Sequence, residues 1–200
     1  MNNTIAIIDY GFGNITSLVN SIKKIGANYT VTSNPQEINS ATKVIFPGVG
    51  HANKAMQELK KRSLIEVIKK IQVPFLGICL GMQLLLSTSE EGNTDCLNII
   101  KGKVQKFKTK LKVPQIGWNK VRLQFQSKLF QDIPNNSFFY FVHSYYCNLD
   151  NKNNSTGSTE YGKSFCSALE LDNFFGVQFH PEKSGETGLK LLQNFWRLTW

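Results

Sequence analysis

Three short apolar runs, "TIAIID", "ATKVIFPG" and "VPFLGI", each stop at a glycine turn, and the stretches between them carry apolar residues at helical spacing. A run of four to six apolar residues without alternation suits a strand buried on both faces, and amphipathic helices are what cover such faces. "NYTVTS" adds a further strand. "ITSLVNSIKKIG", "ANKAMQELKKRSLIEVIKKI" and "MQLLLSTSEE" read as helices, the first ended by a C-terminal glycine. The first half is therefore expected to be α/β, with a central, mostly parallel sheet flanked by helices.

Beyond residue 98 the pattern changes. "KVQKFKTKLKV", "KVRLQF", "SFFYFVHSYYC", "FCSALEL" and "FFGVQFH" read as strands, an added antiparallel region, and "GETGLKLLQNFWRLTW" as a closing helix. The polar "DNKNNSTGS" reads as a surface hairpin tip, not a linker. With 200 residues and no internal repeat, a single domain over 1–200 is expected.

Composition excludes several classes. The 41% hydrophobic and 18% charged residues are those of a globular protein, not a disordered one. No apolar run approaches the ~20 residues of a membrane span, and "MNNTIAIIDYG" reads as a first strand, not a signal peptide. Four cysteines lack metal-ligand or C-x-x-C spacing, which points to free thiols in a cytoplasmic protein with no metal and no cofactor. The net charge of +9 raises nucleic acid as a partner, but no nucleic-acid motif accompanies it. Much of the excess lies where Lys106, Lys108, Lys110 and Lys112 alternate with Phe107, Thr109, Leu111 and Val113. That spacing puts the lysines on one face of a strand, either as a guarded sheet edge or as a surface for an acidic partner.

Open parallel sheets carry their sites in loops beyond the carboxyl ends of the strands. Three loops there are unusual: "DYGFGN", "PGVGH" and "GICLGMQ". The last has the layout of a nucleophile elbow, with Cys79 at a strand-to-helix turn between Gly77 and Gly81. In an elbow the nucleophile adopts a strained backbone, small neighbours remove steric clashes, and the helix N-terminus favours the thiolate. It would also aim the Leu80 N–H at a developing oxyanion. A small cysteine buried at a strand end would give the same pattern without chemistry.

A cysteine nucleophile needs a base. Of three histidines, His180 stands directly after the strand-like "FFGVQF", followed by Pro181 and then Glu182, which could orient its ring. Cys79 in "GICLGMQ" with His180 and Glu182 in "FHPEKS" resembles the Cys-His-Glu triad of the class I glutamine amidotransferases. Within them, "IIDYGFGNITS", "IFPGVG", "PQIGWN", "YFVHSYY" and "FGVQFHPEKSGETGLKLLQNF" make it most similar to the glutaminase subunits of imidazole glycerol phosphate synthase.

The resemblance implies a flavodoxin-like class I amidotransferase fold. It also implies hydrolysis of L-glutamine through a thioester on Cys79, with His180 as general acid/base and Glu182 as its orienter. The ammonia would pass to a partner (β/α)8-barrel cyclase (HisF), forming imidazole glycerol phosphate and an aminoimidazole-carboxamide ribonucleotide in histidine biosynthesis. The oxyanion hole would use the N–H groups of Val49 and Leu80, in a loop that Gly48 and Gly50 leave free to reorient. Glutamine would be bound by Gly48, Gly50, Gln83, Glu91, His143 and Ser144. Trp118, Asn119, Tyr140, Lys183 and Asn14 would lie on the partner-facing side and along the ammonia path. Two departures stand out: "HANKAM" with His51 and Ala52 where the family has a small residue and then an aromatic, and Gln115 where it has histidine. They leave open a paralogue that feeds ammonia to a sugar-modifying synthase.

Overall fold

In a computed structural model, which describes residues 3–124 and 127–199, the expected alternation builds one large twisted sheet. The strands of the first half are β1 (Thr4–Ile8), β2 (Asn28–Thr32), β3 (Lys43–Phe46) and β4 (Phe75–Ile78). Between and after them lie α1 (Ile15–Lys24), α2 (Pro35–Ser40), α3 (Ala52–Lys61), α4 (Ile65–Lys69) and α5 (Leu80–Leu84). Two short strands, β5 (Thr88–Ser89) and β6 (Thr94–Asp95), precede β7 (Gly102–Lys106), β8 (Gln115–Leu123), β9 (Ser137–His143) and β10 (Tyr145–Leu149). Then come β11 (Ser155–Glu160), β12 (Ser164–Leu171), β13 (Phe174–Val177) and the closing helix α6 (Gly185–Arg197).

The strand order is β2-β1-β3-β4-β13-β12-β10-β7-β5-β6, and β2, β1, β3, β4 and β13 run parallel. That five-stranded block has the flavodoxin-like order, with its site expected at the carboxyl ends. The antiparallel region is spliced in before β13, so a strand late in the chain returns to lie beside β4. On β1, alternate residues serve opposite faces. Ile5 and Ile7 pack with Leu18, Ile22, Leu191 and Phe195 of α1 and α6, whereas Ala6 and Ile8 pack with Ile38, Ala55, Leu59 and Ile68 of α2 to α4. Two-sided burial is the reason these runs are continuously apolar.

Several expectations need correction. The 20-residue helix from Ala52 is two helices broken at Ser63, whose φ of 57° lets both Leu59 and Leu64 point inward. "PQEINS", unassigned from sequence, is helix α2, started by the Asn34 side chain accepting from Gln36 N–H. "MQLLLSTSEE" is helical only to Leu84. Leu84, Leu85 and Leu86 are all fully buried, which one helix face cannot achieve, and Thr88–Ser89 joins the sheet. The lysine-rich strand ends at Lys106 and is paired on both sides, by β10 and β5, so it is not an edge. Lys108, Lys110 and Lys112 are exposed in the irregular segment that follows, while Phe107 turns into the core. "SFFYFVHSYYC" is two strands divided at Ser144. "DNKNNSTGS" is no hairpin tip, because β10 and β11 do not pair; β11 lies between β12 and β8. The end of "KVRLQF" and Trp200 lie outside the described residues; α6 ends at Arg197.

Candidate active site

Cys79 stands between β4 and α5 at φ 53°, ψ −108°, a conformation L-residues rarely adopt. Its N–H is held by the Val177 carbonyl at 2.8 Å, so the parallel pair β4/β13 fixes the turn. Gly77 and Gly81 do not themselves adopt positive φ; they allow close approach. A Cβ on Gly77 would stand 2.8 Å from backbone atoms of Gly81 and Met82, and one on Gly81 would strike the Phe46 carbonyl. The first turn of α5 can therefore sit directly on β3 and β4.

His180 follows β13 in the neighbouring strand's loop, and its position is tied by its N–H to the Tyr140 carbonyl at 2.9 Å. Glu182 Oε1 lies 2.8 Å from His180 Nδ1, both side chains almost fully buried, while His180 Nε2 makes no hydrogen bond of its own. Burial lowers the His180 pKa, but interactions with Cys79 and Glu182 outweigh it and push it up to about 10. The imidazole is thus favoured in its cationic form, with the Glu182 carboxylate on Nδ1 and Nε2 left free.

Around them is a cavity of about 340 Å³ lined by Val49, Gly50, Cys79, Leu80, Gln83, Glu91, Pro114, Val142, His143, Ser144, Tyr145 and His180. That is enough for a small amino acid. The sequence-derived glutamine and oxyanion residues therefore converge, with Gly48 buried immediately behind. Leu80 N–H, however, is already donated to the Gly48 carbonyl at 3.3 Å, so the carbonyl occupies one of the two expected oxyanion donors. Val49 is exposed and Gly50 has φ 98°.

Individual roles sharpen. Glu91 Oε2 accepts the Ala52 N–H at 2.7 Å, which steadies an acid at the N-terminus of α3. His51 caps the same helix through Nδ1 and the Asn53 N–H, so the "HANKAM" departure has a structural use. Gln83 Nε2 is committed to the Tyr145 carbonyl at 3.0 Å and to Gln178 Oε1 at 2.9 Å. Gln178, which the sequence reading passed over, is fully buried and turns its own Nε2 toward Cys79 Sγ at 3.6 Å. The only signal for it was its place two residues before His180. Ser184 was also missed. It joins the His180 carbonyl (2.6 Å) to the Tyr140 N–H (3.0 Å) and so locks the histidine loop to β9.

His143 is buried, with Nδ1 2.7 Å from the Tyr145 carbonyl and Nε2 3.0 Å from the Gln115 carboxamide. Burial pulls its pKa down to about 4, the carbonyl opposing this and His180 adding to it, so the ring is neutral and is no second base. Gln115, the other departure, thus positions His143 at the cavity wall.

The expected partner-side residues lie on the β8/β9 ribbon and its surroundings, outside the cavity. Trp118 pairs with Tyr140 across the ladder, ring centroids 6.1 Å apart, and Lys183 Nζ stands 5.9 Å from the Tyr140 ring. Trp118, Ile116 and Phe138 are 50–60% exposed on this ribbon, whereas Phe139 and Phe141 are fully buried. Asn119 is engaged with the Glu160 carbonyl, and Asn14 caps α1 by accepting from Ser17 N–H, so each has a local structural task.

The chain from residue 6 to 198 matches the family described as glutamine amidotransferase class-I. It is 49% identical over 197 residues to "Imidazole glycerol phosphate synthase subunit HisH 2" of Methanococcus maripaludis, covering 96% of this chain and 98% of that one. It is 47% identical over 192 residues to the HisH subunit of Haemophilus influenzae, covering 96% of each. A glutamine amidotransferase from Thermotoga maritima shares the fold at 20% identity, with a TM-score of 0.66 over 94% of this chain and 79% of that one. Among the described residues no helix is long and apolar enough to cross a membrane. Together with the cysteine elbow and its buried histidine–glutamate pair, these matches place the chain in the class I glutamine amidotransferase family, among the HisH subunits of imidazole glycerol phosphate synthase.

Proposed function

We propose that this chain is the glutamine-hydrolysing subunit of an imidazole glycerol phosphate synthase, working in histidine biosynthesis. The observation that carries the reading is the thiol at a strained elbow facing the same cavity as a histidine held by a buried glutamate. The Cys79 thiolate attacks the side-chain amide carbon of glutamine, and the oxyanion forms at the start of α5. The cationic His180 protonates the departing nitrogen, ammonia leaves, and a glutamyl thioester remains on Sγ. Neutral His180 then takes a proton from water, which attacks the thioester and releases glutamate. The returned proton restores the ion pair. Glu182 holds Nδ1 throughout, so only Nε2 exchanges protons with the reactants.

The oxyanion hole is closed while the Gly48 carbonyl accepts the Leu80 N–H. Opening it requires the Gly48–Val49 peptide to turn, which withdraws the carbonyl and offers the Val49 N–H instead. Coupling that turn to docking of a substrate-loaded partner would keep glutamine from being wasted. The partner is a (β/α)8-barrel cyclase of the HisF type, and the exposed apolar ribbon bearing Ile116, Trp118 and Phe138 supports a docking face. The names of the relatives favour this acceptor over a sugar-modifying synthase.

The test is Cys79→Ser assayed with the cyclase. Glutamine-dependent formation of imidazole glycerol phosphate should vanish, while ammonium salts still support it. Retained glutamine-dependent synthesis would refute the nucleophile, and absence of synthesis by wild type with either nitrogen source would refute the acceptor.

A further inference from the structure

Tyr10, just beyond β1, is buried to 1% exposure, and its ring packs against Phe46 at 5.0 Å and Phe12 at 5.8 Å between centroids. Its hydroxyl is equally buried and has no hydrogen-bond partner. An unpaired buried hydroxyl destabilises a fold, and phenylalanine would fill the same space without that cost. The group therefore calls for a partner in some other arrangement of the chain.

One polar group that the proposed mechanism requires to turn lies beside it. A Cβ built on Gly48 would stand 2.8 Å from Tyr10 Oη, 2.8 Å from Gly81 N and 2.9 Å from Leu80 Cβ, so hydroxyl, glycine and the start of α5 meet at one point. Gly48 is buried, and among the described residues its carbonyl accepts only from the Leu80 N–H, at 3.3 Å. Once it turns away to open the oxyanion hole, it loses that donor and needs another. Burial and the nearby Cys79 charge keep the Tyr10 hydroxyl protonated and hence able to donate.

Resting on the glutaminase reading above, we propose that Tyr10 is a positioning residue that donates its O–H to the Gly48 carbonyl when the Gly48–Val49 peptide has turned to open the oxyanion hole. The hydroxyl is unpaired in the closed state and paired in the open one, so it biases the loop toward opening. It does not touch glutamine; it acts through the Gly48–Val49 peptide.

The experiment is Tyr10→Phe in complex with the cyclase and its substrate, with wild type in parallel. Glutaminase kcat should fall about tenfold, the scale of one ordinary hydrogen bond, with KM for glutamine within about twofold. The thermal midpoint of the isolated variant should be unchanged or raised, because the closed state loses only an unpaired group. A kcat within twofold of wild type, a loss carried by KM, or a kcat loss matched by a lowered midpoint would each overturn the role of Tyr10. Wild type that fails to hydrolyse glutamine in the complex would instead overturn the glutaminase reading, and this role with it.

Discussion

Gly77→Ala is the substitution that most directly probes how the elbow is built. The added methyl would lie 2.8 Å from the carbonyl carbon and oxygen of Gly81 and from Met82 N, against about 3.4 Å for an ordinary contact. All three are backbone atoms in the first turn of α5, so no side chain can swing aside. Relief requires α5 and β4 to separate by about 0.6 Å, the difference between those distances. Overpacking of this kind costs about 1–3 kcal/mol, or a drop in Tm of about 5 °C for a chain of this length. The activity loss should be disproportionate. The displaced turn carries the Leu80 N–H and the strained Cys79 backbone, and a misplacement near 1 Å costs on the order of 10²-fold in rate. Thermal unfolding and partner-stimulated glutaminase assays would be run together with Gly26→Ala as reference. Gly26 has φ 72° and no atom within 4 Å of its would-be Cβ, so that change costs about 1–2 kcal/mol of backbone strain far from the site. Gly77→Ala should lose at least tenfold in kcat, and Gly26→Ala should lose stability only. If Gly77→Ala kept wild-type kcat and Tm, the close-approach account of this glycine would be wrong.

Two further outcomes follow from the geometry. Burial pulls the His180 pKa down, but Cys79 and Glu182 push it from its ordinary 6.5 up to about 10, so the pairing contributes stability fully below about pH 6.5 and loses it as pH climbs through about 10; in Cys79→Ala the imidazole NMR titration should move down, and an unmoved midpoint would contradict the contribution of Cys79. Trp118→Ala removes a side chain that is 55% exposed; it should leave Tm within about 0.5 kcal/mol-equivalent of wild type while weakening the cyclase complex by about 2 kcal/mol, roughly 30-fold in Kd by calorimetry, and unchanged affinity would remove the ribbon from the interface.

Much of this molecule is legible in one dimension, for identifiable reasons. The runs of β1, β3 and β4 are apolar throughout because both faces of the sheet are covered, and that local fact announces the parallel block. The cysteine elbow is legible because the close approach at Gly77 and Gly81 leaves a spacing that survives in sequence. Where spacing reflects nothing local, the reading fails. The lysine alternation after Lys106 imitates a strand, yet the ladder stops once Phe107 N–H has bonded to the Ser144 carbonyl. The helix begun at Leu80 stops after five residues because three consecutive leucines must all be buried.

By itself, then, the sequence determined the layered α/β class, the elbow and the candidate pair His180 and Glu182, since each depends on neighbours a few positions apart. Tertiary structure alone decided the rest. The return of β13 beside β4 brings His180 to Cys79, and Gln178 is steered to the sulfur by Gln83 from a different element. The Gly48 carbonyl occupies the Leu80 N–H, and the Tyr10 hydroxyl beside it has no partner. Hydrogen bonds and steric contacts between distant segments are set by strand order and packing, and no periodicity along the chain encodes them.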